Sequence, residues 1–277
     1  MVNKQQGNFN YDCLIDVTNI PDLLSVKLHE DYYQIGAAVK LTDIISDDFI
    51  NANFKVLVDA ARSVASPLIR NQATIGGNVL CENRCIFYNQ SEWWREAAGF
   101  CLKCGGKTCL ATGGKKVCLS KFVSDVAAAL ISLNAKVVLV TNGSEKSLPL
   151  EEIYSGEGIN PKKFKNDTIL KSILLPLNMN FNSVYKKLRQ RKTLEFTSLT
   201  MAASLDKGNT IKIAISGVAP APVVVKIKKG ESFDSVYNEI NKKSKIIDND
   251  FFDRHYRKTM LKTYLSECLK ELGSHYK

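Results

Sequence analysis

With 277 residues, 45% of them apolar and 24% charged, the chain is long enough for one large or two modest domains and has an ordinary globular composition. No run approaches the roughly 18 apolar residues of a membrane helix, and Met1–Asn10 is too polar for a signal peptide, so the expected compartment is the cytoplasm, where clustered thiols stay reduced and suggest metal binding. The net charge of +10 reads as a solvated basic surface or as a docking face for an acidic protein partner, and with no recognition helix, zinc-finger spacing or aromatic ribonucleoprotein motif beside it, nucleic acid is set aside.

Residues 1–22 are polar and irregular up to Pro21. A short strand is expected near Leu24–Leu28 and a longer one at Tyr32–Val39. Leu41–Ile45 and Phe54–Ala65 predict helices. In the second, Val56, Leu57, Ala60, Ala61 and Val64 recur at helical spacing, and Ser66-Pro67 stops it because the residue before a proline is pushed out of the helical region. Beyond the central stretch, Asp125–Leu133 reads as a helix and Ala135–Val140 as a strand closed by a hairpin turn at Asn142-Gly143. Leu148–Tyr154 reads as a short strand with a helical turn, and Thr168–Leu175 as a strand ended by Pro176. The proline and asparagines of 176–182 interrupt the pattern and mark a boundary between domains 1–178 and 179–277. Strands follow at Val184–Arg189, Ser198–Leu205 and Thr210–Ser216, the last two joined by a turn at Asp206-Lys207-Gly208-Asn209, before Pro220 and Pro222 break the chain. Helices at Phe233–Lys242 and Phe252–Leu272 finish it. Tyr256, Met260, Leu261, Tyr264, Leu265, Cys268, Leu269 and Leu272 form one apolar stripe on the second, so Cys268 reads as a core residue. Strands and helices mix without strict βαβ alternation, which predicts an α+β fold.

The stretch from Ile69 to Cys118 holds the chemistry. Six of the eight cysteines lie there, at positions 81, 85, 101, 104, 109 and 118, with Gly99, Gly105, Gly106, Gly113 and Gly114 giving the backbone freedom to fold back. An iron–sulfur cluster is usually held by four thiolates. Zinc is also open, since Cys101-x-x-Cys104 resembles half of a zinc knuckle, although the histidines (His29, His255 and His275) lie elsewhere. Ahead of the cysteines, Thr74-Ile75-Gly76-Gly77-Asn78 reads as a tight turn or as a loop whose backbone N–H groups and Thr and Asn side chains hold a diphosphate.

Ala73–Asn78 (ATIGGN) resembles the second flavin loop of the FAD-binding subunits of molybdenum hydroxylases, the family of xanthine dehydrogenase and carbon monoxide dehydrogenase. The run from Cys85 through Phe87-Tyr88-Asn89-Gln90-Ser91-Glu92-Trp93-Trp94-Arg95 to Cys101, Cys109 and Cys118 resembles an insertion in the β subunit of 4-hydroxybenzoyl-CoA reductase that carries a [4Fe–4S] cluster. The likeness continues through Ser124–Leu130, Ile173–Pro176, and Lys187-Leu188-Arg189 with Leu194-Glu195-Phe196, into the C-terminal helices. It implies a PCMH-type FAD-binding domain with a [4Fe–4S] insertion at about 81–120, followed by a smaller CO-dehydrogenase-flavoprotein-like domain of antiparallel sheet and helices.

By the same resemblance, the pattern Cys-x15-Cys-x7-Cys-x8-Cys selects Cys85, Cys101, Cys109 and Cys118 as metal ligands and leaves Cys81 and Cys104 as bystanders. Ala73, Thr74, Ile75, Gly76, Gly77 and Asn78 are implied to line the FAD diphosphate and ribityl chain, Asp125 to contact the flavin nucleotide, and Arg189, Leu194 and Glu195 to approach the flavin from the C-terminal half. Read alone, Asp125 is equally a helix N-terminal acid favoured by the dipole, Arg189 a surface charge on a strand, and Trp93, Trp94 and Tyr88 packing that shields a cluster. Nothing before Asp16 resembles the family's first flavin loop, whereas Tyr11–Val17 resembles the strand after it, so half of the diphosphate cradle is expected to be missing. The implied function is a FAD and [4Fe–4S] electron-transfer subunit of a molybdenum-containing oxidoreductase. Its partners would be a molybdopterin-binding subunit, a [2Fe–2S] subunit and a carrier such as ferredoxin, and its substrate a 4-hydroxybenzoyl-CoA-like aromatic acyl-CoA. The competing readings are a FAD-free iron–sulfur relay or assembly module, and a zinc-stabilised structural protein.

Overall fold

Two antiparallel sheets carry the chain in the structure, a computed structural model that describes residues 13–164, 167–178 and 181–273. Helix α1 (Pro21–Leu24) leads into β1 (Val26–Leu28) and β2 (Tyr32–Gly36), which join β3 (Lys136–Thr141), β4 (Ser144–Pro149) and β5 (Thr168–Pro176) in the order β1-β2-β5-β3-β4. The β3–β4 hairpin turns at Asn142 and Gly143, both at positive φ (50° and 77°), as a two-residue hairpin loop requires. Strand β2 stops three residues before the expected Val39. A Cβ on Gly36 would lie 2.2 Å from the Leu23 carbonyl oxygen, so the chain crosses α1 in contact there and bends away. No strand forms over residues 13–17, contrary to the sequence likeness at Tyr11–Val17, whose first two residues lie outside the described ones.

Between β2 and β3 run α2 (Leu41–Ser46), α3 (Asp48–Asn53), α4 (Lys55–Ser63), α5 (Pro67–Arg70), α6 (Ile75–Val79), α7 (Glu92–Ala97) and α8 (Asp125–Ser132). Asp47 caps α3 by accepting from the Ile50 N–H, a local signal the apolar spacing does not carry. Every residue of α8 is buried, because the helix packs on α4 on one side and on the second sheet on the other. An all-round apolar helix of this kind is what a position between two layers demands.

The second sheet comprises β6 (Asn182–Leu188), β7 (Leu199–Leu205), β8 (Thr210–Ser216) and β9 (Val223–Lys228) in sequential antiparallel order. Its far face is covered by α9 (Phe233–Lys243) on β9 and α10 (Arg254–Glu271) on β6 and β7. Leu261, Leu265, Cys268, Leu269 and Leu272 enter this core, so Cys268 is a packed hydrophobe. β5 ends at Pro176 and β6 begins at Asn182; the interruption expected at 176–182 includes residues 179 and 180, which lie outside the described ones.

Candidate cofactor sites

The glycine motif is a helix start and not a free turn. Thr74 is the N-cap of α6, and its hydroxyl accepts from the Gly77 N–H at 3.0 Å. The other N–H groups are already engaged: Ile75 donates to the Val39 carbonyl (2.9 Å), Gly76 to Ala37 (2.9 Å) and Asn78 to Thr74 (3.0 Å). The residues after β2 leave the sheet in order to receive them. Gly76 is needed for this docking, since a Cβ there would lie 2.7 Å from the Ala37 oxygen and 2.8 Å from its Cβ. Gly77 faces outward, where a Cβ would meet only the Thr74 hydroxyl. Thr74, Gly76 and Gly77 line a cleft of about 330 Å³ whose other walls are Val17, Thr18, Leu23, Ala37, Ala38, Leu80 and Thr168–Leu170. Ile75 is buried, Ala73 gives its carbonyl to Leu41 N–H, and Asn78 Oδ1 accepts from the Ser124 hydroxyl (2.8 Å) and the Val126 N–H (3.3 Å), which fixes α6 to the start of α8. The open glycine face beside a threonine and an apolar wall fits one side of a dinucleotide.

Asp125, Arg189 and Glu195 are brought together elsewhere, around a lysine. Lys187 Nζ donates to Asp125 Oδ2 at 2.6 Å, to the Ser63 carbonyl at 3.0 Å and to the Glu195 carbonyl at 3.4 Å. The two side chains of the pair are 3% and 6% exposed. Thr200 (2.8 Å) and Tyr185 (3.3 Å) donate to the other oxygen, Oδ1, and burial beside this carboxylate pushes the Tyr185 phenol well up. Arg189 donates to the Ser63 carbonyl at 3.0 Å and is half-buried, so it is not a surface charge. Leu194 sits at φ 55° and donates its N–H to the Ala65 carbonyl. Lys187 stands in the run Lys187-Leu188-Arg189 with no role of its own in the sequence, though a signal existed: alternation puts Tyr185 and Lys187 on one face of β6, with Arg189 next in step just beyond its end, opposite Val184 and Leu188.

The cysteine segment is an excursion closed by a neck. Arg84 and Lys121 exchange both backbone hydrogen bonds (2.9 and 2.8 Å), so the chain leaves and returns at one point. Asn83 Nδ2 holds the Ser120 and Pro220 carbonyls, Asn249 Nδ2 holds Leu119, and buried Lys121 pairs with Asp250. The C-terminal half therefore grips the neck. Within the excursion, Ser91 caps α7. A 3-10 turn at Leu102–Cys104 closes on Gly105 at φ 83°, and a Cβ on Gly106 would lie 1.9 Å from the Phe100 oxygen.

Cys85, Cys101, Cys109 and Cys118 all border one apolar void, with Tyr88, Leu110, Leu119 and Ile247 among its other walls. Cys81 and Cys104 do not border it. The void measures about 10 Å³, room for about one water molecule. Burial pushes the Cys85 thiol up to about 11 and raises Cys118, whereas contact with Cys104 pulls Cys101 down to about 6. Thiols raised in this way, Cys85 and Cys118, become ligands only when a cation compensates the thiolate charge. Among the described residues no three His, Cys, Asp or Glu side chains converge closely enough for a single metal ion. The void as it stands has no room for a multi-iron cluster, although four thiolates are the usual donor set for one. Cys85 also borders a second pocket of about 170 Å³, which Leu194 and Glu195 line from the other side. Trp93 is 76% exposed and shields nothing; Trp94 packs with Phe87 at 6.4 Å, and Tyr88 is buried under the Lys103 ammonium.

Comparison with known proteins gives one consistent result. A family model described as the FAD binding domain in molybdopterin dehydrogenase matches residues 1–178. The FAD-binding subunit of an aldehyde oxidoreductase from Escherichia coli K12 is 28% identical over 68% of this chain, which spans 62% of that subunit's length. The xanthine dehydrogenase FAD-binding subunit of Escherichia coli O157:H7 is 22% identical over 99% of this chain and 87% of its own. In structure, a chain of the carbon monoxide dehydrogenase from Hydrogenophaga pseudoflava, in a form lacking the Mo-pyranopterin moiety, superposes with a TM-score of 0.65 at 18% identity, over 92% of this chain and 80% of that one. The α+β fold is therefore that of this flavoprotein architecture, an FAD-binding-type domain followed by a C-terminal sheet-and-helix domain.

Proposed function

Because the chain belongs to the family of FAD-binding domains of molybdopterin dehydrogenases, we propose that it is the FAD and [4Fe–4S] electron-transfer subunit of a molybdenum-containing oxidoreductase. The FAD-binding domain spans 1–178, carries its cluster insertion at about 81–120, and is followed by a C-terminal domain at 179–277. The observation that carries the cluster part is the sorting of six neighbouring cysteines into four that border a common void and two that do not. In this reading Cys85, Cys101, Cys109 and Cys118 hold the cluster, and Thr74 and Gly77 face the FAD diphosphate across the cleft. Ile75, Gly76 and Asn78 fix that loop to β2 and α8, and the Lys187–Asp125 pair with Arg189 and Glu195 holds the C-terminal half in place. When bound, the two groups supply one- and two-electron transfer, while the chain positions them and excludes water.

Partner subunits with molybdopterin and [2Fe–2S] centres complete the complex. Reduction of an aromatic acyl-CoA such as 4-hydroxybenzoyl-CoA takes place in the partner, with ferredoxin as an external carrier. The setting in this reading is the cytoplasm, and no helix among the described residues is long and apolar enough to cross a membrane. Anaerobic purification followed by iron, acid-labile sulfide and flavin assays tests the reading. Stoichiometric flavin with about four irons per chain is expected. An iron-free, colourless preparation would end the cluster assignment, and zinc at one per chain would favour the structural alternative.

A further inference from the structure

Cys104 borders no part of the four-cysteine void, yet it is not an isolated thiol. Its sulfur lies 3.9 Å from that of Cys101, in a thiol–thiol contact within one turn. That turn is tightly built. The N–H groups of Cys104 (2.8 Å) and Gly106 (3.0 Å) both donate to the Cys101 carbonyl. Gly105 supplies the left-handed residue that ends the 3-10 turn, and Gly106 can approach Phe100 only because it has no side chain. The two thiols are thus held face to face by backbone geometry. They need to close by about 1.9 Å to reach a disulfide bond length. Cys101 is buried and Cys104 is half-buried.

We propose that Cys101 and Cys104 form a reversible disulfide with a low-molecular-weight disulfide as oxidant, and that this modification withdraws Cys101 from the four-thiol set. The chemistry is two successive exchanges. One of the two sulfurs attacks the oxidant, a mixed disulfide forms there, and one small thiol leaves with that cysteine's proton. The other sulfur then attacks the first cysteine's Sγ, the bond to the oxidant breaks, and the second small thiol leaves with the remaining cysteine proton. Two electrons and two protons pass from the chain to the oxidant, which is reduced to two thiols. The disulfide rests on the turn alone, whereas its consequence rests on the cluster reading above.

The test uses the full chain, purified anaerobically, freed of iron by a chelator and treated with oxidised glutathione. The expected product has lost two hydrogens in mass, digests to a single cross-linked 101–104 peptide, and reverts with dithiothreitol. Iron and sulfide uptake is lost in the oxidised chain and restored on reduction. Cys104→Ser and Cys104→Ala are expected to form no internal disulfide and to take up iron after the same treatment. An unchanged mass, a cross-link between other cysteines, or Cys104 variants as sensitive as the parent would each overturn the proposal. A 101–104 cross-link in a chain that binds no iron in either state would support the disulfide and overturn the cluster reading.

Discussion

The glycine cleft and the cysteine excursion lie next to each other in sequence but are held by opposite means. The cleft is made from regular elements: α6 gives the N–H groups of Ile75 and Gly76 to the chain that leaves β2, and its rigidity comes from the packing of Gly76 on Ala37. The excursion has only one short helix and a 3-10 turn, and its shape is set by capping side chains, positive-φ residues and a grip from the C-terminal half. A site built on sheet and helix is preformed, whereas one built on a tethered loop keeps the freedom to widen around its ligand. The contrast predicts that substitutions near the cleft act first through stability and substitutions in the excursion first through metal content.

The largest expected effect is categorical. Serine at Cys85, Cys101, Cys109 or Cys118 should abolish iron binding in anaerobic preparations, while Cys81→Ser should retain it. Iron loss from Cys81→Ser equal to that of the other four would break the four-plus-two division. Next is Asp125→Asn, which leaves the buried Lys187 ammonium without its counter-charge. It should cost about 3–5 kcal/mol in denaturant unfolding, and an effect below about 1 kcal/mol would mean that water reaches the pair.

How much of this was legible in sequence depends on what each feature is made of. Strands β7 and β8, and the helices at Phe233 and Arg254, follow from periodicity within a residue or two. β9 was hidden because Pro220 and Pro222 read as a break, although both precede the first strand residue, where a proline costs no ladder bond. The choice of four cysteines among six came from a family likeness, since spacing carries no information about which thiols turn inward. The links that hold the halves together, Lys187 to Asp125 and Lys121 to Asp250, join residues far apart in the chain, and no local pattern announces them.

Gly76 and Gly77 sharpen the comparison inside one motif. Gly76→Ala should destabilise the fold by about 1–3 kcal/mol through overpacking on Ala37. Gly77→Ala should leave stability nearly unchanged and lower flavin content, read from the visible absorbance of the purified chain. Equal effects of the two on unfolding would remove the distinction between the docked and the open glycine.

The smallest effect lies far from both sites. Asp253 caps α10, and hydrogen bonds from the N–H groups of Tyr256 and His255 hold its carboxyl below the usual carboxylate range. A depressed pKa contributes stability above the unfolded-state value, and this is lost as pH falls through the folded one. Asp253→Ala should therefore lower Tm at neutral pH by a small amount, and the gap from the parent should close in acid. A gap that persists below the usual carboxylate range would assign the effect to helix packing.

The two backbone hydrogen bonds between Arg84 and Lys121 carry a consequence for how such a protein is assembled and altered. Because the excursion enters and leaves the fold at one point, its length is decoupled from the register of everything around it. It is in effect a cassette. Shortening it to a tight turn between those two residues would leave β2, α6 and α8 in place and yield a flavin-type scaffold without the four-cysteine set. The same neck on a related scaffold would be the place to graft one in.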